Sequence, residues 1–320
     1  MAKYYYAFYQ KDMISKSASG GLGYALSSSF IKDRVVYGVE YTPDFRSARY
    51  ARAESPEELQ RFCGSKYIET EKIMENGVSV FQSIMEDLQN GRKVFFVGLP
   101  CEVGALYSYL EKNGIQRDDR VITADLICQG PLHAEAQKQY LAYLEEKYQS
   151  KITNFSVRYK NPYWQPVYLR AVFENGKEHV RNLYETDFGR ALAIFGRERC
   201  FKCAFKGDNH KADLTLGDLW GLPSTDSRYN KMGTSVVIVH TNLGDKVLHE
   251  TKDIVCGEIS KEEALEEKSM YWVSRDRKPA LDTYLKVFKE EGLHAAVFKT
   301  RSFLSKGRYI VETILGRRPY

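Results

Sequence analysis

The chain has 320 residues, 43% hydrophobic and 28% charged, which supplies a large apolar core and an ordinary soluble surface. Its formal net charge of +5 is carried entirely by residues 299–320, where Lys299, Arg301, Lys306, Arg308, Arg317 and Arg318 meet a single acid, Glu312. The balanced remainder excludes a basic nucleic-acid footprint on the body, and no apolar run approaches the roughly 20 residues that span a bilayer.

The elements begin with a tyrosine-rich strand, Lys3–Tyr9. Met1-Ala2-Lys3 leads straight into it, not into an apolar signal segment, so a cytoplasmic location is expected. In that compartment cysteines more often bind metal or do chemistry than form disulfides. Lys16-Ser17-Ala18-Ser19-Gly20-Gly21-Leu22 then opens a helix running to about Ile31. The paired glycines permit close backbone approach and the first-turn amides favour an anion such as phosphate; an ordinary tight turn uses the same residues. A strand follows at 35–41. Ser55-Pro56-Glu57-Glu58 carries an N-cap, a first-turn proline and acids, which predict a helix start leading to Cys63-Gly64-Ser65-Lys66-Tyr67.

Two clearer units come next. A helix over 78–88 ends at Asn90-Gly91, and strand 93–97 runs into Gly98-Leu99-Pro100-Cys101 before a helix over 102–112. Strand 121–127 runs into Cys128-Gln129-Gly130-Pro131 before a helix, Ala134–Tyr148. Strand, turn and helix twice over is the pattern of parallel βαβ units, whose strand ends open onto one ligand-collecting edge. That pattern brings Cys101 and Cys128 together in space, although each alone also reads as a small buried hydrophobe.

Strands Ile152–Tyr159 and 167–173 read as an antiparallel pair joined across Lys160-Asn161-Pro162-Tyr163-Trp164. A helix over 186–194 then leads to Arg199-Cys200-Phe201-Lys202-Cys203. This CxxC fits zinc, an iron–sulfur cluster, a redox dithiol or chance. With Cys101 and Cys128 it makes a set of four thiols. The strand-like run after it ends at Gly217-Asp218-Leu219-Trp220-Gly221, where Asp218 either orients a ligand edge or caps the turn. A buried strand at 235–241 and a helix from about 244 follow, and the region from Lys261 reads as charged and mostly helical. The basic tail reads as a solvated terminal helix or as an amphipathic helix in peripheral contact with a membrane or an acidic partner.

Seven blocks stand in one order: Ser17-Ala18-Ser19-Gly20-Gly21, Gly64-Ser65-Lys66-Tyr67, Gly98-Leu99-Pro100-Cys101-Glu102, Asp125-Leu126-Ile127-Cys128-Gln129-Gly130, Arg199-Cys200-Phe201-Lys202-Cys203, the run from Ala212-Asp213 to Gly221, and Gly233-Thr234-Ser235. Over roughly residues 15–250 this order resembles the beta-subunit family of coenzyme F420 hydrogenases and dehydrogenases. The resemblance implies an iron–sulfur flavoprotein in which Cys101, Cys128, Cys200 and Cys203 ligate a [4Fe–4S] cluster. It also implies that Ser19, Gly20, Gly21, Ser65, Lys66, Tyr67 and Asp218 lie near FAD. Glu102, Gln129 and the pair His210-Lys211 depart from the glutamine, histidine and arginine usual at those places.

The expected fold class is α/β, a mixed sheet with flanking helices in two closely packed subdomains plus a helical C-terminal region. Residues 1–90 are expected to hold the flavin contacts, 91–258 the cluster site, and 259–320 a helical extension. The expected function is an oxidoreductase passing electrons between FAD and the cluster. The sequence begins at the flavoprotein body, without the ferredoxin module of many relatives, so exchange with a separate ferredoxin or deazaflavin-type carrier is expected. Arg197, Arg199, Lys202, Lys206 and Lys211, set against Glu198, Asp208 and Asp213, suggest where an acidic carrier docks. The alternative is a structural zinc held by the same thiols in a non-redox scaffold protein of bacterial surface-polysaccharide assembly.

Overall fold

The computed structural model describes residues 2–265, 269–302 and 306–307. Most of the basic tail therefore lies outside the described residues. The strands are β1 (Lys3–Tyr9), β2 (Arg34–Tyr41), β3 (Ala48–Ala53), β4 (Thr70–Glu71), β5 (Lys93–Gly98), β6 (Val121–Leu126), β7 (Ile152–Tyr159), β8 (Tyr168–Phe173), β9 (Glu178–Asn182), β10 (Leu214–Asp218), β11 (Ser235–Val239) and β12 (Ile254–Glu258). The helices are α1 (Leu22–Phe30), α2 (Val80–Gln89), α3 (Pro100–Lys112), α4 (Ala134–Tyr148), α5 (Asp187–Ile194), α6 (Glu198–Phe201), α7 (Asn242–Glu250), α8 (Lys261–Leu265), α9 (Ser269–Trp272), α10 (Leu281–Glu291) and α11 (Leu293–Lys299).

Nine strands form one mixed sheet in the order β12-β1-β11-β10-β6-β5-β2-β3-β4, and β7-β8-β9 form a second, antiparallel sheet. The middle of the large sheet is parallel: β10 pairs with β6, β6 with β5 and β5 with β2. Strands of that kind are covered on both faces, and their apolar runs divide by alternation. Val36, Phe95, Ile122 and Leu214 turn toward Leu22 and Leu26 of α1 and Val247 and Leu248 of α7. Val35, Tyr37, Val94 and Phe96 turn the other way, toward Val80 and Ile84 of α2 and Val103 and Leu106 of α3. Each such fully buried ring or branched chain contributes about 1.5–3 kcal/mol.

A third core joins the second sheet to the C-terminal helices. Tyr140 and Leu144 of α4, Phe155, Leu169 and Phe188 pack with Tyr284 and Val287 of α10 and with Leu293 and Val297 of α11. The Gln139 amide oxygen fixes the start of α11 by accepting the Leu293 N–H at 2.8 Å.

Among the elements that differ from the sequence expectation, two lie close to the site. The helix start at Ser55 is real, since Ser55 Oγ accepts the Glu58 N–H and Glu58 accepts the Glu54 N–H, but only a 3-10 turn, Glu58–Phe62, follows. The backbone is already extended at Cys63, and Gly64 follows in the left-handed region at φ +76°. Strand β3 has no sequence expectation behind it, because Ala-Arg-Tyr-Ala-Arg-Ala has weak strand propensity. It forms because pairing with β2 buries Tyr50, while Arg49 meets Glu40 and Arg52 meets Asp87.

Asp213 shows why the Ala-Asp block stands where it does. Its buried carboxylate accepts from the Thr123 amide and hydroxyl at 2.9 Å each, from the Thr241 hydroxyl at 2.7 Å and from Arg117 at 2.6 Å. One side chain thus ties β6 to the start of β10 and to the N-cap of α7. Asp213→Ala should destabilise the protein by about 3 kcal/mol, because buried donors lose their acceptor, and Asp213→Asn by less, since its amide oxygen still accepts. Equilibrium denaturation midpoints check this; an unchanged midpoint in the alanine variant would contradict the role.

Candidate functional site

The carboxyl ends of β5, β6 and β10 open onto one edge of the sheet, and the chemistry-bearing blocks gather there. Pro100 begins α3 directly after β5, which puts Cys101 in the first helical turn. Glu102, buried beside it, accepts the Leu99 N–H at 2.9 Å and the Tyr50 hydroxyl at 2.6 Å and pairs with Lys72. Its carboxylate therefore fastens the turn. Burial pushes the Cys101 thiol up, and Glu102, Cys203 and Cys200 push it the same way while Lys72 opposes them.

Cys128 follows β6 on the same edge, and burial pushes its thiol up to about 12. The key residue is Gly130, in the left-handed region at φ +91°. Its N–H donates to Cys128 Sγ at 3.2 Å, and a Cβ on it would stand 3.0 Å from Cys200 Sγ. A side chain here would meet both its own backbone strain and a sulfur. Cys200 lies in α6 and Cys203 just beyond it, where the Cys203 N–H donates to Ser274 Oγ at 2.9 Å.

Three separate stretches of chain thus bring four thiols within reach of one another's charge. Among the described residues no three Cys, His, Asp or Glu side chains close into a metal cage. The chemistry of the donor set nevertheless fits a thiolate-bound metal or cluster: soft ligands, a backbone N–H on one sulfur, and a glycine contact that lets two arms approach. Below this edge Asp125 is fully buried, bonded to His210 Nδ1 at 2.8 Å and to the Thr215 hydroxyl at 2.5 Å. Burial pushes the Asp125 pKa up, with His210 opposing. His210 stacks between His240 and Tyr271.

The structure joins the proposed flavin blocks through a residue that the sequence did not suggest. Arg158 of β7, buried, donates to Asp218 at 3.0 and 3.2 Å, to the Tyr67 hydroxyl at 3.1 Å and to the Ala18 carbonyl at 2.9 Å. Burial opposes its charge, yet Tyr67 and Asp218 more than offset this and hold its pKa above the usual arginine range. Its guanidinium lies 5.6 Å from the ring of Trp220, which stacks on Trp164 at 4.6 Å. Lys160, also buried, donates to the Ile14 carbonyl at 2.6 Å and the Ser19 carbonyl at 2.8 Å, and burial pushes it down to about 7. Neither residue has a local sequence motif; only the pairing of β7 with distant loops reveals them.

The individual blocks serve this assembly in different ways. Ser19 Oγ donates to the Thr234 carbonyl at 3.2 Å. A Cβ on Gly20 would lie 2.7 Å from the Ala7 carbonyl and 2.8 Å from the Ser235 amide, so the close approach that this glycine permits is to β1 and β11. Gly21, at φ +82°, is the N-cap of α1. Lys66 Nζ donates to the carbonyls of Arg61, Cys63 and Gly64, and burial pushes it down to about 8. The Tyr67 carbonyl accepts the Leu132 N–H at 2.8 Å, just past the Cys128 turn, so the two halves of the site share backbone bonds. Asp218 pairs with Arg158, and Ser65 lies between Gly64 and Lys66 in the same loop.

The fold is thus a mixed α/β sheet that gathers four thiols at the carboxyl edge of its parallel strands. Residues 91–265 match the family model for the C terminus of the Coenzyme F420 hydrogenase/dehydrogenase beta subunit, and the chain belongs to that family. The family points to an oxidoreductase. Among solved structures, a chain in the xenon-derivatised F420-reducing [NiFe] hydrogenase complex from Methanosarcina barkeri is similar in fold. It has 17% sequence identity and a TM-score of 0.54, with 92% of this chain and 89% of that chain covered. No curated protein gives a significant match. Among the described residues, no helix is long and apolar enough to cross a membrane.

Removing Arg158 leaves the half-buried Asp218 without its cation and takes the donor from the Tyr67 hydroxyl and the Ala18 carbonyl, so Arg158→Ala should cost about 1–3 kcal/mol of stability. The double variant with Asp218→Ala should cost at least about 1 kcal/mol less than the sum of the two single changes. A double-mutant cycle by chemical denaturation measures this, and simple additivity would contradict the coupling.

Proposed function

We propose that the chain is an iron–sulfur flavoprotein oxidoreductase. In this reading Cys101, Cys128, Cys200 and Cys203 hold a [4Fe–4S] cluster, and FAD binds beside the loops at 17–21 and 64–67. The observation that carries the reading is the contact at Gly130, which touches Cys128 through its N–H and Cys200 through its missing side chain. The family match supports the redox class, and the hydrogenase complex supports a setting among electron-transfer partners. When bound, a flavin supplies two-electron chemistry and a cluster one-electron chemistry.

The chain's own residues orient these loops. Arg158 holds Tyr67, Asp218 and the Ala18 carbonyl in one arrangement, and Lys160 holds the Ile14 and Ser19 carbonyls beside it. Trp220 lies over the Arg158 guanidinium and stacks on the buried Trp164. A small acidic carrier such as ferredoxin is the proposed one-electron partner. Arg199, Lys202 and Lys211 are exposed around the CxxC and suit its approach, whereas Arg197 pairs with Glu69 and Lys206 turns inward. The basic tail, proposed as a peripheral contact, lies outside the described residues apart from its first few. The four-part cysteine set serves a structural zinc equally well by donor type, and the test below separates the two.

Single Cys→Ser changes at 101, 128, 200 and 203 should each remove most of the iron from anaerobically purified protein, because a hydroxyl is a poor substitute for a soft thiolate. Cys63→Ser and Cys256→Ser should keep it: Cys63 Sγ faces the Leu59 carbonyl, and Cys256 is exposed on β12. Iron lost equally at all six positions, or stoichiometric zinc in place of iron, would overturn the proposal.

A further inference from the structure

We infer that Lys206 and Arg275 are two fixed positive charges held against the cysteine set, where they raise the reduction potential of the group it binds; this rests on the cluster reading above. Lys206 lies just past the CxxC, and its ammonium turns inward. Nζ donates to the carbonyl of Cys128 itself at 2.5 Å and to that of Met270 at 2.6 Å. Arg275 reaches the same turn one residue further on. Its Nη1 donates to the Gln129 carbonyl at 3.3 Å, and its Nη2 to the Leu192 and Ala193 carbonyls at 2.6 and 2.8 Å.

Lys206 and Arg275 share carbonyl-only bonding with Arg34, Lys66 and Lys160, and differ from those three in lying against the cysteine set. Arg52, Arg117 and Arg158 each face an aspartate. Lys206 and Arg275 are half-buried, bond only neutral carbonyls, and pair with no carboxylate among the described residues. Burial works against both charges. The ionisable groups that favour them are the thiols: Cys128, Cys203 and Cys200 for Lys206, and Cys200 and Cys128 for Arg275. A cation partly withdrawn from water without an anion is costly, and so is a group of thiolates without a cation. Each set therefore supplies what the other lacks.

The placement has a redox consequence. Adding an electron to a thiolate-bound centre adds negative charge, and nearby positive charge favours that state; net charge is among the factors that set cluster potentials. Solvent screens this little at a half-buried site. The segment that carries Arg275 is itself fixed to the cysteine loop, since Ser274 Oγ accepts the Cys203 N–H and Trp272 covers Gly207. The charge is thus held in place by the fold.

The test uses the full chain, purified without oxygen, with iron content measured first and potential then read by EPR-monitored redox titration at one pH. Lys206→Gln and Arg275→Gln keep donors toward the carbonyls but remove the charge; Lys206→Arg and Arg275→Lys keep the charge. Each neutral variant should shift the reduction equilibrium at least tenfold toward the oxidised form, about 59 mV more negative for a one-electron couple. The charge-keeping variants should stay near wild type. Iron lost from the neutral variants but retained in the charge-keeping ones would also support the inference. Wild-type potentials in the neutral variants, or equal shifts or equal iron loss in both classes, would overturn it. Wild-type protein that holds no iron would instead defeat the cluster reading itself, and the inference with it.

Discussion

Everything at this sheet edge depends on a steric constraint: two sulfur-bearing turns and a third loop have to approach one another without a side chain between them. Parallel strands β5 and β6 deliver Cys101 and Cys128 to the same edge, because parallel neighbours end on the same side. Gly130 then leaves room for Cys200, and its amide points at Cys128. The left-handed backbone at this glycine turns the chain away from the sulfurs into the segment that meets Tyr67. A Cβ there would press on a sulfur and strain the backbone together.

Around that contact the molecule distributes charge with some economy. Asp213 and Asp125 are buried on neighbouring strands, and each is surrounded by donors that also join strands. Arg158 links β7 to β10 and to two loops, so the second sheet is fastened to the first at the candidate site. The C-terminal segment completes the arrangement. Its helices share the α4 core, and its residues 270–275 hold the cysteine loop through backbone and side-chain bonds.

The legible part of this fold is the part that local pattern dictates. Buried runs such as Lys-Val-Phe-Phe-Val, each followed by a turn and an amphipathic helix, announce parallel units, and with them the meeting of Cys101 and Cys128. Strand β3 is not legible, because its alanines and arginines become strand only when β2 buries Tyr50 and acids meet the guanidiniums. Arg158 and Arg275 are invisible for a related reason. Their partners lie far along the chain, Ala18 and Gln129 among them, and no spacing within a motif records such contacts. Lys206 shows the opposite error: its position beside the CxxC suggests a docking charge, while the fold turns it onto the Cys128 carbonyl.

The central claim is that these four cysteines carry a redox cluster in a protein that also binds flavin. The most direct measurement is a single anaerobic preparation of wild-type protein, its visible absorbance spectrum recorded beside iron, sulfide, zinc and flavin analysis. The account predicts a brown-yellow protein with broad cluster absorbance beneath flavin bands, close to four irons and four sulfides per chain, and bound FAD. A colourless protein with one zinc per chain and no flavin would contradict it.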